Sequence, residues 1–167
     1  MHSYLERLRR ELEHAIAGAN PASLEYVPDG KWSPAQILEH LLLTYQGTNK
    51  GATRCLEKGS SLASAGTFAD RVRAFAVVNL GYFPSGRKSP ERAVPRGMPG
   101  DRVQSAIFAA IQEMDAGLAE CERKFGPSTK LMDHPVIGPL SVQQWRKFHW
   151  VHGRHHARQI RERLGSR

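Results

Sequence analysis

Cysteine is scarce in this chain, and the two present, Cys55 and Cys121, lie far apart, each within an apolar helical stripe. That excludes a disulfide framework and a paired-cysteine metal site, and both thiols read as reduced core residues. No apolar run approaches the ~20 residues of a membrane span. The opening Met1-His2-Ser3-Tyr4-Leu5-Glu6 has no apolar signal region, so the expected setting is the cytoplasm, with no membrane partner. No stretch alternates apolar and polar residues long enough to mark a strand, no segment repeats, and neither a Ser-His-Asp nor a phosphate-loop pattern occurs. A dense basic tract is lacking too. The formal net charge is +8, but the basic residues are spread from Arg9 to Arg167. A solvated basic surface, with no specific nucleic-acid partner, is the expectation.

What is present is helix grammar. The 167 residues suit one domain. Ser3 with Glu6, Ser33 with Gln36, and Ser141 with Gln144 have capping-box spacing, and Asp101 with Gln104 is a weaker relative. These starts predict helices over 3–18, 33–58, 101–125 and 141–164. Their stripes include Leu5, Leu8, Leu12 and Ile16 in the first, and Ile37, Leu41, Tyr45, Ala52 and Cys55 in the second. The third carries Val103, Ile107, Ala110, Ile111, Met114, Leu118, Cys121 and Phe125. Gly47 and Gly51 suggest close packing or a bend in the second helix. A shorter pattern, Phe68, Val72, Phe75, Ala76 and Asn79, predicts a fifth helix over 66–83. Pro84 to Gly100 then forms a long connection without periodicity, either a lid or binding segment or an inert crossover. The expected fold is all-α: a four-helix bundle with one extra short helix and a long crossover loop.

The histidines concentrate in the last helix. At about 100° per residue, His149, His152 and His156 share a face with Trp145, Phe148, Gln159 and Ile160, while Lys147, Arg154, Arg158 and Arg161 lie opposite. His152 and His156, at i and i+4, can hold one ion between them. His149 does not complete the set, because it stands roughly 10 Å from His156 along the axis at ~1.5 Å per residue. A third ligand must come from another segment. His40 lies along the inward stripe of the second helix.

His152-x3-His156-x2-Gln159-Ile160, together with Trp32 and Ile37-Leu38-Glu39-His40-Leu41, resembles the DinB-like superfamily of metal-binding four-helix bundles. The run His134-Pro135, Gly138-Pro139-Leu140-Ser141, Trp145, His152, His155-His156 and Gln159 looks like an uncharacterised branch of it. The resemblance implies a three-histidine site, carried over to His40, His152 and His156. Gln159 would orient a ligand ring, and His149 and His155 would be supporting or surface residues. An acidic residue that the family often has three after its first histidine is Leu43 here, which leaves that role open. Three imidazoles with an open position suit zinc, nickel or iron. By resemblance the activity would be transfer of a low-molecular-weight thiol to an electrophile, or metal-assisted hydrolysis, on a small-molecule substrate. The alternative is a non-catalytic stress-response or ligand-binding module with a structural or vestigial metal. Trp150, towards the basic face, packs against a neighbouring helix or, in a homodimer, against a second subunit.

Because the charge is diluted and no turn-helix arrangement presents the last helix to a groove, DNA binding should be weak and should fall steeply with salt. A sequence-selective complex that persists in a mobility-shift assay at physiological salt would contradict this.

Overall fold

Two of the capping boxes form as the sequence requires. In a computed structural model describing residues 1–27, 30–83 and 89–165, Ser33 Oγ accepts the Gln36 N–H at 3.1 Å while Gln36 Oε1 accepts the Ser33 N–H at 2.9 Å. This box, followed by Pro34, starts helix α3, Pro34–Lys58, which ends on Gly59 in the left-handed region at φ 74°. The same reciprocal pair between Ser141 and Gln144 precedes α6, Val142–Gly165.

The other two starts differ from expectation. Helix α1, Ser3–Ala15, is capped by the His2 side chain, which accepts the Tyr4 N–H at 3.3 Å, so Ser3 is already helical. Helix α5, Gly100–Phe125, follows Pro99 with no side-chain cap, and Asp101 serves only as an acidic first-turn residue. Helix α1 also stops short of residue 18, and a five-residue α2, Pro21–Glu25, follows it. Asn20 caps α2 by accepting the Ser23 N–H at 2.8 Å. The fifth pattern is helix α4, Phe68–Ala74, running into a π turn, Phe75–Asn79. Its apolar stripe faces out: Phe68 is 76% and Phe75 56% exposed.

The structure is predominantly helical. Helix α3 packs along α5, α1 packs along α6, and α3 and α6 meet across the core. The apolar stripe named for α5 is buried except at its end, where Phe125 is partly buried, and Ile37, Leu41, Tyr45, Ala52 and Cys55 of α3 are buried. The two thiols are free and buried. Burial pushes both up, with Cys121 at about 11, which leaves them unreactive at neutral pH. Among the described residues, no helix is long and apolar enough to cross a membrane.

One element was not expected. Strand β1, Lys130–His134, pairs antiparallel with β2, Gly138–Ser141, around a turn at residues 135–137. Two strands this short cannot display an alternation, so the proline-rich turn was the only visible sign. The hairpin lies across the middle of α3, where a Cβ on Gly51 would collide with Met132 Sδ. Gly51 is thus the close-packing glycine; nothing crowds Gly47.

Two histidines belong to this scaffold, one buried and one half-buried. His149 is fully buried, its Nε2 2.9 Å from Thr48 Oγ1. His134 accepts the Val136 N–H on Nδ1 at 3.1 Å and rests edge-on against Phe148. Desolvation holds His134 down at about 4, and desolvation, then the nearby His134, holds His149 at about 3. Because the folded pKa values lie below the ordinary 6.5, the unfolded chain binds protons first as pH falls through that value. Stability is full above pH 6.5 and declines towards the folded values, by at most about 1.4 kcal/mol per pH unit per histidine. Urea denaturation from pH 7 to pH 4.5 should show this decline, and His149→Gln should flatten it by one proton's worth. A pH-independent midpoint would contradict the assignment.

Candidate metal centre

Consecutive residues on α3 organise one wall of the cluster. Glu39, 2% exposed, accepts the N–H groups of Arg96, Gly97 and Met98, each at 2.9 Å. This folds residues 96–98 against the helix. A single 3-10 turn, Glu91–Ala93, precedes them, and its last carbonyl accepts from His40 Nδ1 at 2.7 Å. A carbonyl can only accept, so the His40 proton sits on Nδ1 and Nε2 presents its lone pair inward.

Helix α6 supplies the other two rings. His152 Nε2 lies 3.3 Å from His40 Nε2 and 3.0 Å from His156 Nε2. All three ligand nitrogens fall within 4.8 Å of one another. His156 Nδ1 donates to Gln159 Oε1 at 2.8 Å, which again leaves Nε2 as the inward lone pair. The amide of Gln159 in turn reaches His155 Nε2 at 3.2 Å. His152 is held by rings instead: it stacks on Phe148 at 5.1 Å and 14°, with Phe83 at 5.7 Å. Its Nδ1 is buried without a protein partner. Trp32 covers His40 at 5.4 Å.

Burial and crowding keep these rings neutral. Desolvation lowers His40, despite the opposing bond to Ala93. Desolvation, followed by His156 and His40, puts His152 well below the ordinary value. Desolvation, then His40 and His155, brings His156 to about 3. Neutral imidazoles are the ligating form. Among the described residues, no acidic side chain or thiol joins the three.

The residues fit a divalent ion. Nitrogens about 2.05 Å from a tetrahedral zinc are separated by roughly 3.3 Å, close to the spacings here. Without a cation, one proton on His152 could meet only one of the two facing lone pairs. Two of the three rings also have a fixed outer partner, as metal-binding histidines require.

Of the residues expected from the sequence, His40, His152, His156 and Gln159 are brought together. His155 stands one hydrogen bond further out, through Gln159. His149 bonds to Thr48 instead of to any of the three. Trp150 is partly buried against the core, with the Arg154 guanidinium over its ring at 5.6 Å. Glu39 and Ala93 escaped sequence reading. The only available sign of Glu39 was an acidic residue on an otherwise apolar turn of α3. The expected loop from Pro84 to Gly100 is described from Ser89 onward, where it forms the wall; residues 84–88 lie outside the described residues.

A mainly helical protein with three converging histidines is thereby defined. The chain belongs to the family described as protein of unknown function DUF1569, whose model matches residues 11–163. No curated protein and no solved structure matches it.

Because Glu39 gathers three amides, Glu39→Gln should cost on the order of 3 kcal/mol, as an acceptor is replaced by a donor facing donors. Urea denaturation measures the cost, and proteolysis between Ser89 and Pro99 should accelerate. Unchanged stability and cleavage would show that the carboxylate does not hold the loop.

Proposed function

We propose that the protein is a DinB-like metalloprotein, a four-helix bundle of α1, α3, α5 and α6 that binds one divalent ion at His40, His152 and His156. The observation that supports this reading is the convergence of three neutral Nε2 atoms from two facing helices. Zinc, nickel and iron all suit three imidazoles. With three protein ligands the coordination stays open, which favours chemistry over a closed structural site. The proposed reaction is transfer of a low-molecular-weight thiol to a small electrophile, or hydrolysis on the same centre. The resemblance supplies the reaction class.

A bound divalent ion would supply Lewis acidity, lowering the pKa of a thiol or of water and polarising an electrophile. The chain's own residues prepare the place for it. Ala93 O and Gln159 Oε1 hold the protons of His40 and His156 on Nδ1, so that both rings offer Nε2. Trp32, Phe83 and Phe148 pack beside these rings and restrict water, which strengthens electrostatic interactions inside the site. Glu39 fixes the loop that carries Ala93, so ring orientation on α3 is set before any ligand arrives.

Protein purified without an affinity tag should contain about one equivalent of divalent metal, the stoichiometry that one three-ligand site implies. His152→Ala should lose that metal while keeping its helical circular dichroism. Metal retained alike in His40→Ala, His152→Ala and His156→Ala would overturn the site. Metal-loaded protein should then turn over a member of a thiol and electrophile panel, with His156→Ala inactive. No turnover across the panel, with metal still bound, would favour the non-catalytic module.

A further inference from the structure

On the flank of α6, next to the histidine cluster, lies a hollow of about 300 Å³ lined by Arg154, His155, Arg158, Arg161, Val151, Gly81 and Glu11. Its charges are not all committed. Arg161 is tied to Glu11 at 2.7 Å, which cancels the one acid in the wall. Arg158 is two-thirds exposed and only loosely paired with Glu162, at 3.8 Å. Among the described residues Arg154 has no carboxylate partner; it leans on the face of Trp150, which holds its guanidinium without neutralising it. Arg154 and the loosely paired Arg158, with a histidine beside them, would attract an oxyanion into a space this small, and guanidinium groups suit carboxylate and phosphate geometry.

The hollow is also wired to the cluster. Gln159 Oε1 accepts from His156 Nδ1, so its amide nitrogen is the donor to His155 Nε2. In the neutral ring the His155 proton is then on Nδ1, a donor with no acceptor among the described residues. His155 also stacks on Phe83 at 5.0 Å, and its ring centre is 5.1 Å from that of His156. Phe83 therefore touches both His155, in the hollow, and His152, in the cluster.

We propose that this hollow is an oxyanion subsite, which takes the carboxylate or phosphate group of a small acid and is coupled to the histidine cluster through His155 and Gln159. The second half of the proposal rests on the metal-centre reading; the first half does not. The substrate class is thereby narrowed to small acids. The hollow is at the small end of ligand-pocket volumes, which suits a compact molecule rather than a polymer.

The test titrates wild-type protein with inorganic phosphate and, separately, with succinate, at constant ionic strength, following the histidine side-chain nitrogen resonances. Saturable binding that shifts His155 first is expected, weakened at least tenfold in Arg154→Gln and in Arg158→Gln. Arg102→Gln, which removes the same charge from exposed α5 surface, should bind as wild type does. Preference between the two probes assigns the subsite to phosphate or carboxylate. A linear, non-saturating response, or equal weakening in Arg102→Gln, would overturn the subsite. Both hollow arginines are exposed, so these variants should fold, and circular dichroism checks this. Metal content is measured on the same samples. Saturable anion binding by protein unable to take up metal would keep the subsite and overturn its link to a metal centre.

Discussion

Three imidazole nitrogens converging within 4.8 Å, with that of His152 at hydrogen-bond distance from the other two, impose a constraint that the surrounding structure answers. Two of the rings have their protons drawn outward, by Ala93 O and by Gln159 Oε1, so the space between them is lined with lone pairs. Lone pairs held this close repel unless a cation or a proton lies between them; neutral His152 can supply one proton for one of the two, and burial disfavours a second, charging one. The arrangement persists because each ring is anchored from behind: His40 by a loop, His156 by an amide, His152 by stacked aromatics. The position of Glu39 follows from the same requirement, since the loop carrying Ala93 must be held for His40 to be oriented.

The scaffold explains why two helices can bring these groups together. Helices α3 and α6 each have an extensive partner, α5 and α1 respectively, which buries most of their apolar stripes. The faces left over meet each other, and there the chain places polar groups in matched pairs. Thr48 with His149 and His40 with His152 are two such pairs along one seam. A seam between helices that is polar yet leaves His149 Nδ1 and His152 Nδ1 without a protein partner can host a ligand.

Much of this was legible in the residues, for identifiable reasons. His152 and His156 announce themselves because helical spacing is local, and His40 because it falls on an apolar stripe. The helices with reciprocal caps at Ser33 and Ser141 begin where those caps lie. Elsewhere the local signal misled: Ser3 offers capping spacing, but His2 reaches the free amide first. The outward stripe of α4 shows the limit of periodicity, which says that a face is apolar and not that anything covers it. The loop wall was invisible for a different reason. Glu39 acts on backbone N–H groups some 57 to 59 residues away, and backbone donors carry no residue-type signature.

The separation of the ligands along the chain has a consequence for biosynthesis. His40 and His152 are 112 residues apart, so α6 is made well after α3 and the loop that orients His40. While a ribosome is still extending the chain, the loop carrying Ala93 can already close on Glu39, but the ring it orients has no partner. Cells would therefore load any ion after translation of α6, onto a half-site arranged in advance. Were an ion held there, competition among metals would be decided after α6 is made rather than before.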